Sequence, residues 1–141
     1  MAVGVAALLA STGLASPRSV SAARTVVLGS KHHPLPGGYG FGTAQPGAIF
    51  NGGDPSGLVT HIHWTSWGQS VATGHGLNAI FMPQGGYYAQ LATIQLRAYD
   101  VGRCTPLGPL AYRRLSVRVP SRPGGPLGPW VGWGGGHGPI C

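Results

Sequence analysis

Acidic side chains are nearly missing: the 141 residues include two aspartates, Asp54 and Asp100, and no glutamate. A paired-carboxylate hydrolase must hold two acids a few ångströms apart. An oxygen-ligand Ca²⁺ cage needs more acids than this chain owns. Lys31 is the single lysine, and without Glu–Lys patterning an amphipathic helix bundle is excluded as well. Long apolar runs are also lacking. The stretch of apolar or small residues from Ala2 to Ala15, which carries no charge, would rise only about 21 Å as a helix, against a hydrocarbon core of roughly 30 Å. No transmembrane span is expected in the mature chain. Two cysteines, far apart in sequence, are too few to hold a metal by themselves.

What is plentiful is glycine (26), proline (13) and arginine, which supplies all the positive charge except Lys31. A net charge of +7 favours anionic surfaces: acidic lipids, wall polymers or other polyanions. None of the common DNA- or RNA-binding motifs is present and the arginines do not cluster on a helix, so no nucleic-acid partner is expected. The preference for Arg over Lys is equally what a GC-rich genome produces.

The Ala2–Ala15 run suits the apolar region of a signal peptide, and Val20-Ser21-Ala22 and Ser21-Ala22-Ala23 both fit a small-residue cleavage site. The basic residues that should precede such a run are missing, so residues 1–23 are expected to be a signal peptide with an incomplete beginning. The alternative is an ordinary buried N-terminal segment. Export places the protein outside the cell or in its envelope, where Cys104 and Cys141 by default form a disulfide. Closing that loop contributes about 4 kcal/mol on the chain-entropy account. A free or intermolecularly bonded Cys141 is the competing reading.

Pro and Gly break residues 24–46 so often that they read as a linker, despite a short β-branched run at Thr25–Leu28. Residues 120–141 are richer still, with 13 of 22 positions Gly or Pro. Their prolines recur every third position from Pro120 to Pro129, which predicts a tail without regular structure. Between them, residues 47–119 alternate apolar and polar with a period of two. Leu58, Thr60, Ile62 and Trp64 form one such set, Ala92, Ile94, Leu96 and Ala98 another, and Leu115, Val117 and Val119 a third. That period belongs to half-buried antiparallel strands. Gly-, Pro-, Asp- and Ser-rich turns separate them. The stretch from Val71 to Phe81 completes the set, with Gly74 and Gly76 marking a bulge or a close backbone approach. The expected fold is all-β: a small antiparallel sandwich or partly open barrel of about five strands, flanked by disordered N-terminal and Gly/Pro-rich C-terminal segments.

The run Ile62-His63-Trp64-Thr65-Ser66-Trp67-Gly68 through Ala72-Thr73-Gly74-His75-Gly76, followed later by Tyr112-Arg113-Arg114-Leu115-Ser116-Val117, resembles an uncharacterised group of small secreted actinobacterial proteins. These share a W-x-x-W core, an A-x-G-x-G strand and a late aromatic-x-R-L-x-V strand. The likeness spans about half of the chain, from Ala48 to Val119, and implies export and a β fold but no activity. Members of the group carry a cysteine before a Gly-Asp-Gly-like turn, where this chain has Asn51-Gly52-Gly53-Asp54. That departure moves the expected partner of Cys104 to Cys141.

Few side chains are candidates for chemistry. His61 and His63 share a strand face if the strand is regular. A three-residue turn at Gly68–Ser70 would then set His63 opposite His75, so that three imidazoles could bind Zn²⁺ or Cu²⁺. The alternative is three half-exposed strand histidines. Trp64 reads as core, whereas Trp130 and Trp133, in the Gly-rich tail, are candidate sugar-stacking surfaces or a cover for an open sheet edge. Arg97, Arg114 and Arg118 lie on polar strand positions and would form a basic stripe for phosphate or carboxylate polymers if their strands are neighbours. Otherwise they form a solvated face. No nucleophile elbow, phosphate loop or dinucleotide motif occurs. The expected function is that of a small exported, non-enzymatic β-domain, without a cofactor, associating with an anionic envelope polymer or an extracellular protein. A His-based metal binder and a weak carbohydrate-binding module are the alternatives.

Overall fold

The computed structural model describes residues 10–16 and 25–141. Most of the expected signal peptide, including both cleavage sites, lies outside these residues. Among the described residues there is no α-helix, and none long and apolar enough to cross a membrane. The chain forms seven strands: β1 (Val27–Leu28), β2 (Ile49–Phe50), β3 (Leu58–Trp64), β4 (Ala72–Asn78), β5 (Ala92–Arg103), β6 (Leu110–Pro120) and β7 (Leu127–Gly132). They make one curled, open sheet in the order β1-β6-β5-β4-β3-β2, with β7 also on β6. All neighbours are antiparallel except β1 and β6.

The four strands that carry the period-two pattern, β3 to β6, form the centre of the sheet. Their inward positions, Val59, Ile62, Ala72, Ile94, Leu96, Ala98, Leu115 and Val117, make up most of the core. Trp64 and Trp67 pack against its margin, each spending its indole N–H on a backbone carbonyl, Pro46 O at 3.0 Å and Val26 O at 3.0 Å. Gly74 and Gly76 face β3 closely: a Cβ on Gly76 would meet Val59 Cγ1 at 2.7 Å and Thr60 O at 3.0 Å. No side chain fits there, which is why this strand interior tolerates glycine.

Two parts of the sequence reading are corrected by the strands outside this centre. Of the expected linker 24–46, the described part, residues 25–46, is not a linker. Val26, Leu28 and Phe41 are core residues, and Leu28 pairs with Tyr112 of β6. The same segment also connects the two ends of the open sheet. Thr43 O accepts from Leu28 N–H and Gly42 N–H donates to Leu28 O, while Tyr39 exchanges both backbone bonds with Phe50 of β2. Glycines at positive φ, Gly40 and Gly42, let the chain turn between these two sets of bonds.

The second correction concerns residues 120–141, expected to lack regular structure. They contain β7 and follow the outer edge of β6 almost to the end of the chain. Val117 pairs with Val131 and Arg118 with Trp130. Trp133 N–H then donates to Leu115 O, Leu115 N–H to Gly138 O, and Ile140 N–H to Arg113 O. With β1 on Ala111 and Tyr112, the edge of β6 is paired along most of its length. An unpaired edge of that length would be a template for aggregation. Pro129 is tolerated because β7 is itself an edge strand and its register with β6 shifts between Arg118 and Pro120, the two settings in which a sheet accepts proline. Cys104 and Cys141 are disulfide-bonded with Cα atoms 5.1 Å apart, tying the end of this segment to the β5–β6 connection.

Candidate functional site

The register places one residue from each of five strands in a row across the outer face. His63 of β3 lies opposite His75 of β4, His75 opposite Gln95 of β5, Gln95 opposite Arg118 of β6, and Arg118 opposite Trp130 of β7. At about 4.8 Å between strands, the row is on the order of 19 Å long. A second row, Thr73, Arg97 and Ser116, runs beside it, and Tyr99 opposite Arg114 begins a third. Two shallow depressions meet at His75 and Gln95. One of about 270 Å³ reaches Thr65, Thr73 and Trp130, and one of about 360 Å³ reaches Thr93, Gly125 and Leu127.

Because β5 and β6 are neighbours, Arg97 sits diagonally between Arg114 and Arg118, so the three arginines do form a stripe. Trp130 organises its far end. The Arg97 guanidinium stands over the indole at 4.4 Å from the ring centroid, and that of Arg118 at 5.8 Å. Arg118 Nε–H also donates to Gly128 O at 2.8 Å, which holds the side chain along β7. The near-absence of acid now has a consequence. Both ion pairs among the described residues use Asp100, with Arg113 at 2.7 Å and Arg114 at 3.6 Å. Arg97 and Arg118 are therefore held by an aromatic ring rather than by a carboxylate, which leaves their charge uncompensated.

The three-histidine arrangement does not assemble. His63 and His75 are opposite each other, as a three-residue turn requires, with rings stacked at 5.6 Å. Between Thr60 and His63, however, β3 bulges, setting His61 and Ile62 together against Gly76. His61 takes a left-handed backbone, φ 51°, and its Nδ1 lies 3.1 Å from Thr60 Oγ1. The bulge exists because Val59 and Ile62, three positions apart, both enter the core; one extra residue must be absorbed between them. Among the described residues no three His, Cys, Asp or Glu side chains come close enough to share a metal.

Trp133 is likewise removed from the sugar-contact pair. It is 6% exposed, belongs to the core and donates its indole N–H to Asn51 Oδ1 at 2.9 Å. Trp130 keeps a half-exposed ring but spends its face on guanidinium groups. Gln95 and Thr73 are members of the band that the sequence reading overlooked. Their polar positions on alternating strands were visible, but only the register puts them beside Arg118 and Arg97. Outside the band, burial beside Phe41, whose ring centroid is 4.8 Å away, pulls the His33 imidazole below the usual histidine range. No family model, curated protein or solved structure matches the chain.

Proposed function

We propose that this protein is a small exported, non-enzymatic β-domain that holds an anionic envelope polymer on its outer face. The observation that carries this reading is the pair Arg97 and Arg118, set on Trp130 and without a carboxylate partner. Guanidinium groups fixed in this way lose little freedom on binding and present several N–H donors to a phosphate or carboxylate. Gln95, Thr73 and the His63–His75 pair extend the band with neutral hydrogen-bonding groups that suit a sugar or polyol backbone between charged groups. The row across five strands is long enough for several units of a chain rather than one small ion. Export is supported by the signal-like N-terminus and by a disulfide, which persists outside the cytosol.

The full chain is expected to bind poly(glycerol phosphate) and polygalacturonate, with affinity falling as salt rises, and not to bind neutral dextran of equal length. Each charge-assisted contact is worth about 1.5–3 kcal/mol, so Arg97→Ala with Arg118→Ala should weaken binding by about a hundredfold or more. Arg103→Ala, at the far end of β5 where its guanidinium donates to Gly108 O, serves as the control. Equal binding of dextran, or no difference between the double variant and the control, would sink the reading.

A further inference from the structure

The core side of the sheet opens at one end into a pocket of about 490 Å³, the largest of those described and remote in character from the basic band. Its walls are apolar: Ile94 and Val117 from the sheet, Ile80 beyond β4, and the indole of Trp133. Its rim carries two large apolar side chains open to solvent, Phe81 at 57% and Val131 at 49% exposure. Phe81 is propped by Tyr87, stacked on it at 4.5 Å. No charged or titratable residue lines the pocket. In a chain of net charge +7 that is a selective feature, since three arginines share the outer face and no basic side chain lines this pocket.

Two asparagines supply the only side-chain amides in the pocket wall, and each has one half already committed. Asn78, 5% exposed, donates Nδ2–H to Ser56 O at 3.0 Å and to Leu58 O at 2.7 Å. Two carbonyl partners fix which end of the amide is nitrogen. Neither bond uses Oδ1, and no donor among the described residues reaches it. Since no fully buried side-chain oxygen among them lacks a partner, Oδ1 keeps contact with solvent, and the pocket is the opening that Asn78 lines. Asn51 is the complement. Its Oδ1 accepts from Trp133 Nε1, which leaves Nδ2 as a donor. One free acceptor and one free donor thus sit in a mainly apolar pocket of ordinary ligand size, whose other polar side chains are those of Ser56 and Ser121.

We infer that this pocket binds an uncharged, mainly apolar small molecule carrying a hydroxyl or N–H group, which donates to Asn78 Oδ1 while the apolar body packs on Trp133, Ile94 and Val117. A charged ligand would be desolvated there without a partner. The site is independent of the outer band, because Trp133 and Trp130 stand on opposite sides of the sheet.

The probe is N-phenyl-1-naphthylamine, an uncharged fluorophore with one N–H. With the full chain, it is expected to show saturable one-to-one fluorescence enhancement and to quench tryptophan emission by energy transfer. Val131→Trp, at an exposed position on the rim, should fill the pocket and weaken binding about tenfold or more without lowering the unfolding midpoint. Asn78→Leu removes the acceptor but also two structural bonds, so Phe81→Ala is the second test and should weaken binding severalfold in a folded protein. An excess of poly(glycerol phosphate) should not displace the probe. Absence of saturable binding, binding indifferent to both Val131→Trp and Phe81→Ala, or displacement by the polyanion would each overturn the inference. Failure of polyanion binding alone would strike the outer band and leave this pocket untouched.

Discussion

Cys141→Ser should lower the stability of the protein by about 2–4 kcal/mol and strip amide protection from residues 133–140. The bond closes a 37-residue separation, for which loop-closure entropy alone predicts about 4 kcal/mol. Such a loss is a large share of the total, since domains of this size are commonly stable by only about 5–15 kcal/mol. Its local effect follows from what the last residues do. Ile140 is fully buried, a burial worth about 1.5–3 kcal/mol, and its backbone bonds both Arg113 O and Ser30 N–H. Without the bond, these gains must offset the ordering of every residue after β7, at about 1–2 kcal/mol each. Strand β7 keeps its ladder to β6 and should lose protection less than the segment that follows it. Amide exchange and thermal unfolding of wild type and variant, both under oxidising conditions, decide the matter. Equal protection of residues 133–140 in the two proteins would show that the edge pairing, and not the disulfide, holds the tail.

Tyr112→Ala should cost about 3–5 kcal/mol, enough to leave a large unfolded population at ordinary temperatures. Tyr112 is the largest of the fully buried side chains, its ring edge-on to Trp67 at 5.1 Å. Its hydroxyl accepts from Gly68 N–H at 2.8 Å and donates to Gln69 O at 2.6 Å, fastening the β3–β4 turn to β6. Tyr112→Phe keeps the ring and removes only these bonds, at about 1–3 kcal/mol. This milder variant also has a pH signature. Burial raises the Tyr112 hydroxyl above the usual tyrosine value, with the Gly68 N–H opposing part of the rise. A group raised in the folded state gives its full stabilisation below its unfolded pKa, about 10, and loses it as pH climbs through the folded value. The gap between wild type and Tyr112→Phe in urea unfolding should therefore narrow from pH 9 upwards. A gap that stays constant to pH 11 would contradict the assignment.

How far the sequence alone could be read differs from strand to strand. β4 and β5 were legible because each buries one face, so alternate residues had to be apolar, and the Leu115–Val119 part of β6 followed the same rule. β3 was legible as a strand, but Val59 rather than Leu58 and Thr60 enters the core ahead of its bulge. β1 and β2 have two residues each, too short for any period to show. β7 was hidden by Pro129 and the prolines before it, because a sheet accepts proline only at an edge or a bulge and local sequence does not say which strand is an edge. His61 was misplaced for a related reason. The i, i+2 rule holds only for a regular strand, and the demand of both Val59 and Ile62 for the core breaks it between them.

Composition and pattern by themselves determined the all-β class, the four central strands, the positive charge of the polar strand face and the shortage of acid that leaves Arg97 and Arg118 uncompensated. These follow from local sterics and from counting, neither of which needs a partner residue to be known. Tertiary structure alone decided that the tail pairs with β6, that Trp130 carries guanidinium groups while Trp133 enters the core, and that Asn51 and Asn78 share a pocket. Trp130 and Trp133 stand three positions apart in a Gly-rich run that looks alike around both. Three positions is an odd spacing along a strand, so once the ladder to β6 turns Trp130 outward beside Arg118, Trp133, still bonded to Leu115 O, faces the core and bonds Asn51, 82 positions away. Contacts at that distance are selected by the free energy of burying both partners together, which no window of local sequence contains.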